Sequence, residues 1–446
     1  MQTPAFRWHF IPLLLPLLLA MLQGQAETVK DREGAVRQDR ASMEKSTRWI
    51  YNDVQRGLTE AKWKGKPLLV VLRCVPCLSC AGIDSSVLSE QELGLLLDKF
   101  VCVRVINANA LDLAMFQFDY DLSFSTLFFN GDGTLYGRYG SWLHQKNPAE
   151  KTVAGYKQAL EGALELHRQY PDNRAALAGK QGAPTPFKSP VEIPELAAKY
   201  KRELDWEGKV VQSCVHCHQI GDALRSHHRT QKQPVPAQLI YPMPPPETIG
   251  LTLAPEHRAR IASVSAGSPA SAARIQPGDD VLSINGQPMI SVADVSWALH
   301  RAPDSGTLTA TIRRQGAEQQ VRISLPAEWR SKADISRRVG SWQMRAMASG
   351  GLVLEDLSDE ERARRGLTQD SMALLVKSVG QYGKHAAARN AGFKKDDVLV
   401  EFGGVTRRVT EGELMGLLLQ SQPVGTKVKT VALRGAEKVQ LTMPMQ

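Results

Sequence analysis

Two tight cysteine motifs carry most of the chemistry open to this sequence. Cys74, Cys77 and Cys80 fall at i, i+3 and i+6, and Cys214-Val-His-Cys217-His218 adds a histidine to a second CxxC spacing. A CxxC pair at a helix start suits dithiol redox work. The helix N–H groups and dipole lower the pKa of the first thiol, and the second thiol resolves the mixed disulfide. Cys77 and Cys80 are the expected pair, with Pro76 as a helix start and Arg73 near enough to favour thiolate. Cys74, one turn earlier, is a second disulfide partner for Cys77 or the third thiolate of a copper or zinc site. A structural disulfide in an inactive scaffold is the remaining reading. In CxxCH, two thiolates one helical turn apart add to the haem vinyl groups and the adjacent histidine reaches the iron. Cys214, Cys217 and His218 are therefore expected to hold covalent haem c. Met243 is the candidate sixth ligand, with His227 or His228 as alternatives. Zinc on Cys214, Cys217 and two of the nearby histidines competes with this, as does a simple disulfide. The segment is too small to bury much core, which favours a large cofactor as its organiser.

Redox or haem chemistry of this kind depends on compartment. Arg7 and His9 precede an apolar run from Phe10 to Leu22, and Gly24 and Ala26 supply small residues before Glu27. That pattern predicts a signal peptide over 1–26 and a periplasmic or secreted bacterial protein, an uncleaved anchor being the alternative. No stable membrane span is expected after its removal. Export permits disulfides and haem attachment. The 446 residues suit about three domains, and 43% hydrophobic with 23% charged residues is ordinary for globular protein. The net charge of +9 is dispersed along the chain, which argues for a solvated surface and against a nucleic-acid groove.

The elements that must position the cysteines follow from periodicity. Residues 27–45 read as a mobile lead-in. From Ser46, Trp49, Ile50, Val54 and Leu58 suit one helix face; Pro67 to Leu72 reads as a buried strand ending at the cysteines. A helix over Val87–Leu97, strands at Phe100–Val105 and Thr126–Phe129, a turn at Asn130–Gly133, a strand at Thr134–Tyr139 and a helix over Pro148–Tyr170 complete 46–170. This order resembles a thioredoxin-like domain. One departure is plain: Leu122-Ser-Phe-Ser-Thr126 lacks the proline that thioredoxins place before the third strand, where backbone meets substrate peptide. Cys102 reads as a core residue. Residues 171–193 look like a linker and 194–248 form the CxxCH haem-attachment segment.

The rest of the chain holds a degenerate repeat. Ala273-Arg-Ile-Gln-Pro-Gly-Asp279 with Val281-Leu-Ser-Ile-Asn-Gly286 returns as Ala391-Gly-Phe-Lys-Lys-Asp-Asp397 with Val398-Leu-Val-Glu-Phe-Gly-Gly404. Each copy resembles a PDZ domain of the HtrA and other bacterial type, over 249–326 and 345–446, with 327–344 between them. Peptide carboxylates would meet the backbone at Ile249, Gly250 and Leu251 in one copy and at Gly351, Leu352 and Val353 in the other. No serine-protease nucleophile segment of the Gly-x-Ser-x-Gly or Gly-Asn-Ser-Gly type is present.

The whole order resembles the Trx7/PDZ domain-containing (seleno)protein family. The matching text is Arg73-Cys-Val-Pro-Cys77, Asn130-Gly-Asp-Gly-Thr134 with Tyr136-Gly-Arg-Tyr139, Cys214-Val-His-Cys-His218, and Tyr241-Pro with Ile249-Gly-Leu-Thr252. The resemblance implies redox chemistry, since some relatives use selenocysteine. The expectation is a multidomain α/β plus α+β/β protein: a thioredoxin-like fold, a short haem-binding segment and two PDZ-like domains. Its function would be exported thiol redox or electron transfer, in the manner of a thiol-disulfide oxidoreductase. Partners would be exported proteins or C-terminal peptides held by the PDZ modules, and an unknown electron donor. A non-enzymatic PDZ scaffold and a haem-based redox sensor are the alternatives.

Overall fold

The computed structural model describes residues 31–75, 91–122, 124–140 and 152–446. The segment 1–26 expected to be a signal peptide and the pair Cys77 and Cys80 lie outside them. A five-stranded sheet in the order β1-β3-β2-β4-β5 is built from β1 (Trp49–Tyr51), β2 (Leu68–Arg73), β3 (Val101–Val105), β4 (Phe124–Phe129) and β5 (Leu135–Tyr139). β1, β3 and β2 run parallel, and β4 and β5 are antiparallel. Every residue of β2 is buried, which is why Leu68 to Leu72 form a continuous apolar run instead of an alternation. Helices α1 (Arg32–Met43), α2 (Val54–Lys64), α3 (Gln91–Leu97) and α4 (Val153–Arg168) accompany it.

Trp49 and Ile50 are strand, not the first turn of a helix. They register with Cys102 and Val103 on β3, Asn52 turns the chain at φ +56°, and Asp53 caps α2 by accepting from the Arg56 N–H at 2.9 Å. The helical spacing across that turn is coincidental. The polar lead-in also forms an element. α1 buries only Val36 and is held by polar contacts: Asp39 takes Arg104 and the Tyr51 hydroxyl, and Arg37 donates to the carbonyls of Trp206 and Gly208.

Residues 171–193 are anchored at Leu177, Lys180, Ser189, Pro190 and Ile193, which are buried. Lys180 and Asp294 form an ion pair at 2.9 Å with both side chains fully buried, Arg138 donates to the Lys180 carbonyl at 2.7 Å, and Trp297 donates to the Gly179 carbonyl at 2.9 Å. The CxxCH segment carries α5 (Cys217–Thr230).

Beyond it lie two related modules. The first has β6 (Leu251–Leu253), β7 (Ile261–Val264), β8 (Asp280–Ile284), β9 (Gln287–Pro288), helix α6 (Val292–His300), β10 (Gly306–Arg314) and β11 (Ala317–Leu325). The second is preceded by α7 (Ser341–Ser349) and has β12 (Leu352–Asp356), β13 (Leu374–Val379), β14 (Val398–Phe402), helix α8 (Glu411–Ser421), β15 (Lys427–Arg434) and β16 (Glu437–Pro444). The repeat has a shared physical core. Asp279 takes a bidentate Arg314 and the Gln276 N–H, and Asp397 takes a bidentate Arg434 and the Lys394 N–H. Each acid pins its turn to the same later strand. Among the described residues no helix is long and apolar enough to cross a membrane.

Candidate redox site

The C-terminal end of β2 delivers Arg73, Cys74 and Val75 to one edge of the thioredoxin-like unit, and the CxxCH segment is docked against that edge. Cys74 Sγ lies 3.1 Å from His216 Nδ1. His216 is the N-cap of α5; its carbonyl accepts from the Gln219 N–H at 2.9 Å, and the Gln219 side-chain oxygen accepts from the His216 N–H at 2.8 Å. Burial pulls the His216 imidazole below its usual range, with the charges of His218 and Arg32 adding to the effect. A neutral imidazole beside a thiol can accept its proton.

Asn109, fully buried, is the clamp for this docking. Its side-chain NH2 donates to the carbonyls of Lys201 and Ser213 at 2.7 and 2.8 Å, and its oxygen accepts from the Val215 N–H at 2.7 Å. An asparagine in a polar loop gives no sequence signal of such a role. Asn52 does similar work one step back, accepting from the N–H groups of Ile106 and Asn107.

The remaining cysteines differ in environment. Cys102 is core, its thiol pushed up to about 12 by burial. Cys214 donates to the Ile106 carbonyl at 3.5 Å, and burial pushes its thiol up to about 11. Cys217, the first residue of α5, is half-buried and packs against the thioredoxin-like core.

These residues bear on whether haem fits here. His218 Nδ1 faces the Asp222 carboxylate at 3.4 Å, and its side chain is 37% exposed. A carboxylate on Nδ1 leaves Nε2 for an incoming metal. His218 and Cys217 thus suit the group, and Cys214 suits it once its thiol turns away from the Ile106 carbonyl. Met243 is brought elsewhere: it is buried at φ +43°, its N–H meets His300 Nδ1 at 3.4 Å, and its carbonyl takes Arg338 at 3.2 Å. Among the described residues no contact joins Met243 to His218. Burial, followed by the charges of four arginines, pulls His300 down to about 3, so it accepts that N–H as a neutral ring.

The peptide-binding candidates fall on equivalent positions of the two modules. In the first, Gly250 has φ +86°, and a Cβ there would lie 2.1 Å from Ser268 Oγ. Leu251 begins β6. In the second, Gly351 has φ +90° and its N–H is already given to the Arg345 carbonyl at 2.9 Å, while Leu352 and Val353 begin β12.

Comparison with known proteins agrees with these units. A thioredoxin-like family model matches residues 49–131, and a PDZ domain model matches 242–325. No curated protein matches the chain. Solved structures that match include the HtrA-type protease AlgW with a decapeptide, at 17% identity over 31% of this chain and 47% of that one, with a TM-score of 0.20. A serine-to-alanine variant of AlgW with a tripeptide matches at 16% identity over 31% and 52%, with a TM-score of 0.19. The chain spans about half the length of these proteases or less. The chain is thus a thioredoxin-like and PDZ domain protein, the composition of the Trx7/PDZ domain-containing family that its sequence resembles.

Proposed function

We propose that the chain is an exported thiol redox protein whose cysteine loop works beside the docked CxxCH segment while a PDZ module recruits the partner. The observation that supports this is the 3.1 Å approach of Cys74 Sγ to His216 Nδ1, which joins the two cysteine motifs. In this reading the Cys77 thiolate attacks one sulfur of a small disulfide and displaces the other sulfur as a thiolate. Cys80 then attacks the Cys77 sulfur of the mixed disulfide, frees the second thiol and leaves a Cys77–Cys80 disulfide. Two electrons pass to the substrate, and an exported dithiol reductant resets the pair. Cys74, held against His216, is the thiol that can exchange with that disulfide. A small disulfide is preferred as substrate because the run Leu122–Thr126 lacks the proline that presents backbone to peptide.

Within the same proposal Cys214 and Cys217 would carry haem c and His218 would hold its iron, while Met243, drawn to His300 and Arg338, takes no part. The group would supply a one-electron store. The chain's own part is to hold His218 through Asp222 and to fix the segment through Asn109.

Single-turnover reduction of a small aromatic disulfide tests the thiol assignment. Cys77→Ser is expected to abolish it and His216→Ala to slow the Cys74-dependent exchange; unchanged turnover in Cys77→Ser overturns the reading. A pyridine haemochrome assay on protein exported in a host with a haem-attachment system tests the cofactor. A c-type band surviving acid-acetone extraction is expected. Its absence moves Cys214 and Cys217 to zinc or a disulfide.

A further inference from the structure

A PDZ domain takes its ligand as an added strand on a free sheet edge, beside its long helix. In the second module that edge is β12, outermost in the order β12-β13-β14-β15-β16, and the helix is α8. The backbone alternation identifies the groups an added strand would need. The Gly380 N–H donates to the Gly351 carbonyl, and Leu352 registers with Val379, so Leu352 and Leu354 turn their backbone groups outward.

Two of those outward groups already have side-chain partners. The Leu354 N–H donates to Glu411 Oε1 at 2.8 Å, and the Leu352 carbonyl accepts from the Ser349 hydroxyl at 3.3 Å. Glu411 begins α8, and the same carboxylate takes both arms of Arg345, at 2.9 and 2.6 Å. Arg345 and Ser349 belong to α7. Met344, Met347 and Ala348 of that helix are buried in one core with Leu352 and Leu354 of β12 and with Leu414, Met415 and Leu418 of α8. Gly350 and Gly351, at φ +64° and +90°, reverse the chain so that α7 lies back over the strand that follows it. A Cβ on Gly351 would meet the His385 carbonyl at 2.2 Å, so no other residue fits this reversal.

We propose that the peptide groove of the second PDZ-like module has a resident ligand, the chain's own helix α7, and is closed to external peptides. The module is an internal clamp. Its outer surface holds the CxxCH segment: the Val235 N–H donates to the Leu419 carbonyl, Tyr241 donates to the Gly412 carbonyl, and Arg229 donates to the carbonyls of Gln422 and Gln446. Filling the groove with α7 fixes α8, and α8 then fixes the segment that bears Cys214 and Cys217.

Hydrogen exchange on the full chain tests this. Residues 344–349 are expected to exchange at the rate of β13 and β14, as one cooperative unit. Arg345→Ala is expected to speed exchange across 341–349 and at 353–355 together, by about tenfold for loss of a charge-assisted pair. The probe for external binding is a mixture of decapeptides with free C-termini whose last three positions are drawn from Val, Leu, Ile, Phe and Tyr. It is expected to leave exchange at 350–356 unchanged. Exchange of 344–349 far faster than β13 in the unaltered chain overturns the proposal, and so does slowing at 350–356 by the peptides. The measurements on the unaltered chain decide the matter if Arg345→Ala fails to fold.

Discussion

The two PDZ-like modules share an acidic turn and a bidentate arginine, yet they are held by opposite means. The first is tied to the thioredoxin-like unit through buried charge. Asp294 of α6 pairs with Lys180 and accepts from the N–H groups of Arg138 and Ile290, and the Arg138 guanidinium stacks 3.9 Å over Trp297. The second is filled by α7, which buries Met344, Met347 and Ala348 in the module's core and pairs Arg345 with Glu411 of α8. The chain leading into each explains the contrast. Tyr241 to Pro246 enters the first module through prolines and a single 3-10 turn, Pro246–Ile249, which is too short to cover an edge. Gly250 accepts from the Ser265 N–H and Ala254 donates to the Arg260 carbonyl, so Leu251 and Leu253 turn their backbone groups outward on β6, and among the described residues no side-chain hydrogen bond caps those groups. The same module thus serves as a receptor candidate or as a clamp, depending on the ten residues that precede it.

The largest effect is expected at the charged tie. Asp294→Ala removes the partner of a fully buried lysine and leaves two N–H groups unpaired, and losing one member of a buried pair costs about 3–5 kcal/mol. Urea denaturation should then show the thioredoxin-like unit and the first module unfolding in separate transitions. A single transition at the original midpoint would mean that the apolar contact of Ile290 with Gly137 suffices. Asn109→Ala should come next, at about 1–3 kcal/mol for the buried groups it strands. Its signature is local: faster exchange of the Val215 N–H, with the PDZ-like modules unchanged.

Much of the architecture was legible because apolar runs and repeats report burial directly. β2, β3, β4 and β5 stand within one or two residues of their sequence positions, and the repeat marks both PDZ-like modules. The site was legible as motifs and not as an assembly. Nothing in Cys74 or His216 says that positions 142 residues apart meet, because the contact depends on Asn109 and on α1, polar pieces with no periodic signal. The apparent linker failed as a reading for a related reason. Gly, Pro and Ala over 171–193 look unstructured, yet one lysine there is buried by a charge over a hundred residues away. The closed groove was hidden too, since α7 carries only an ordinary scatter of methionine and alanine.

The smallest expected effect separates clamp from receptor at a single hydroxyl. Tyr241 donates to the Gly412 carbonyl at 3.0 Å, and Gly416 has no side chain because a Cβ there would lie 1.9 Å from that hydroxyl. Tyr241→Phe keeps the ring in the core and removes one hydrogen bond, so about 1 kcal/mol should be lost. Because Tyr241 touches α8 from the CxxCH side while α7 touches it from the groove side, the loss should appear as faster exchange at 235–241 with α7 unaffected. If α7 loosens as well, α8 is transmitting between the two faces, and the clamp is a coupling element between groove and CxxCH segment.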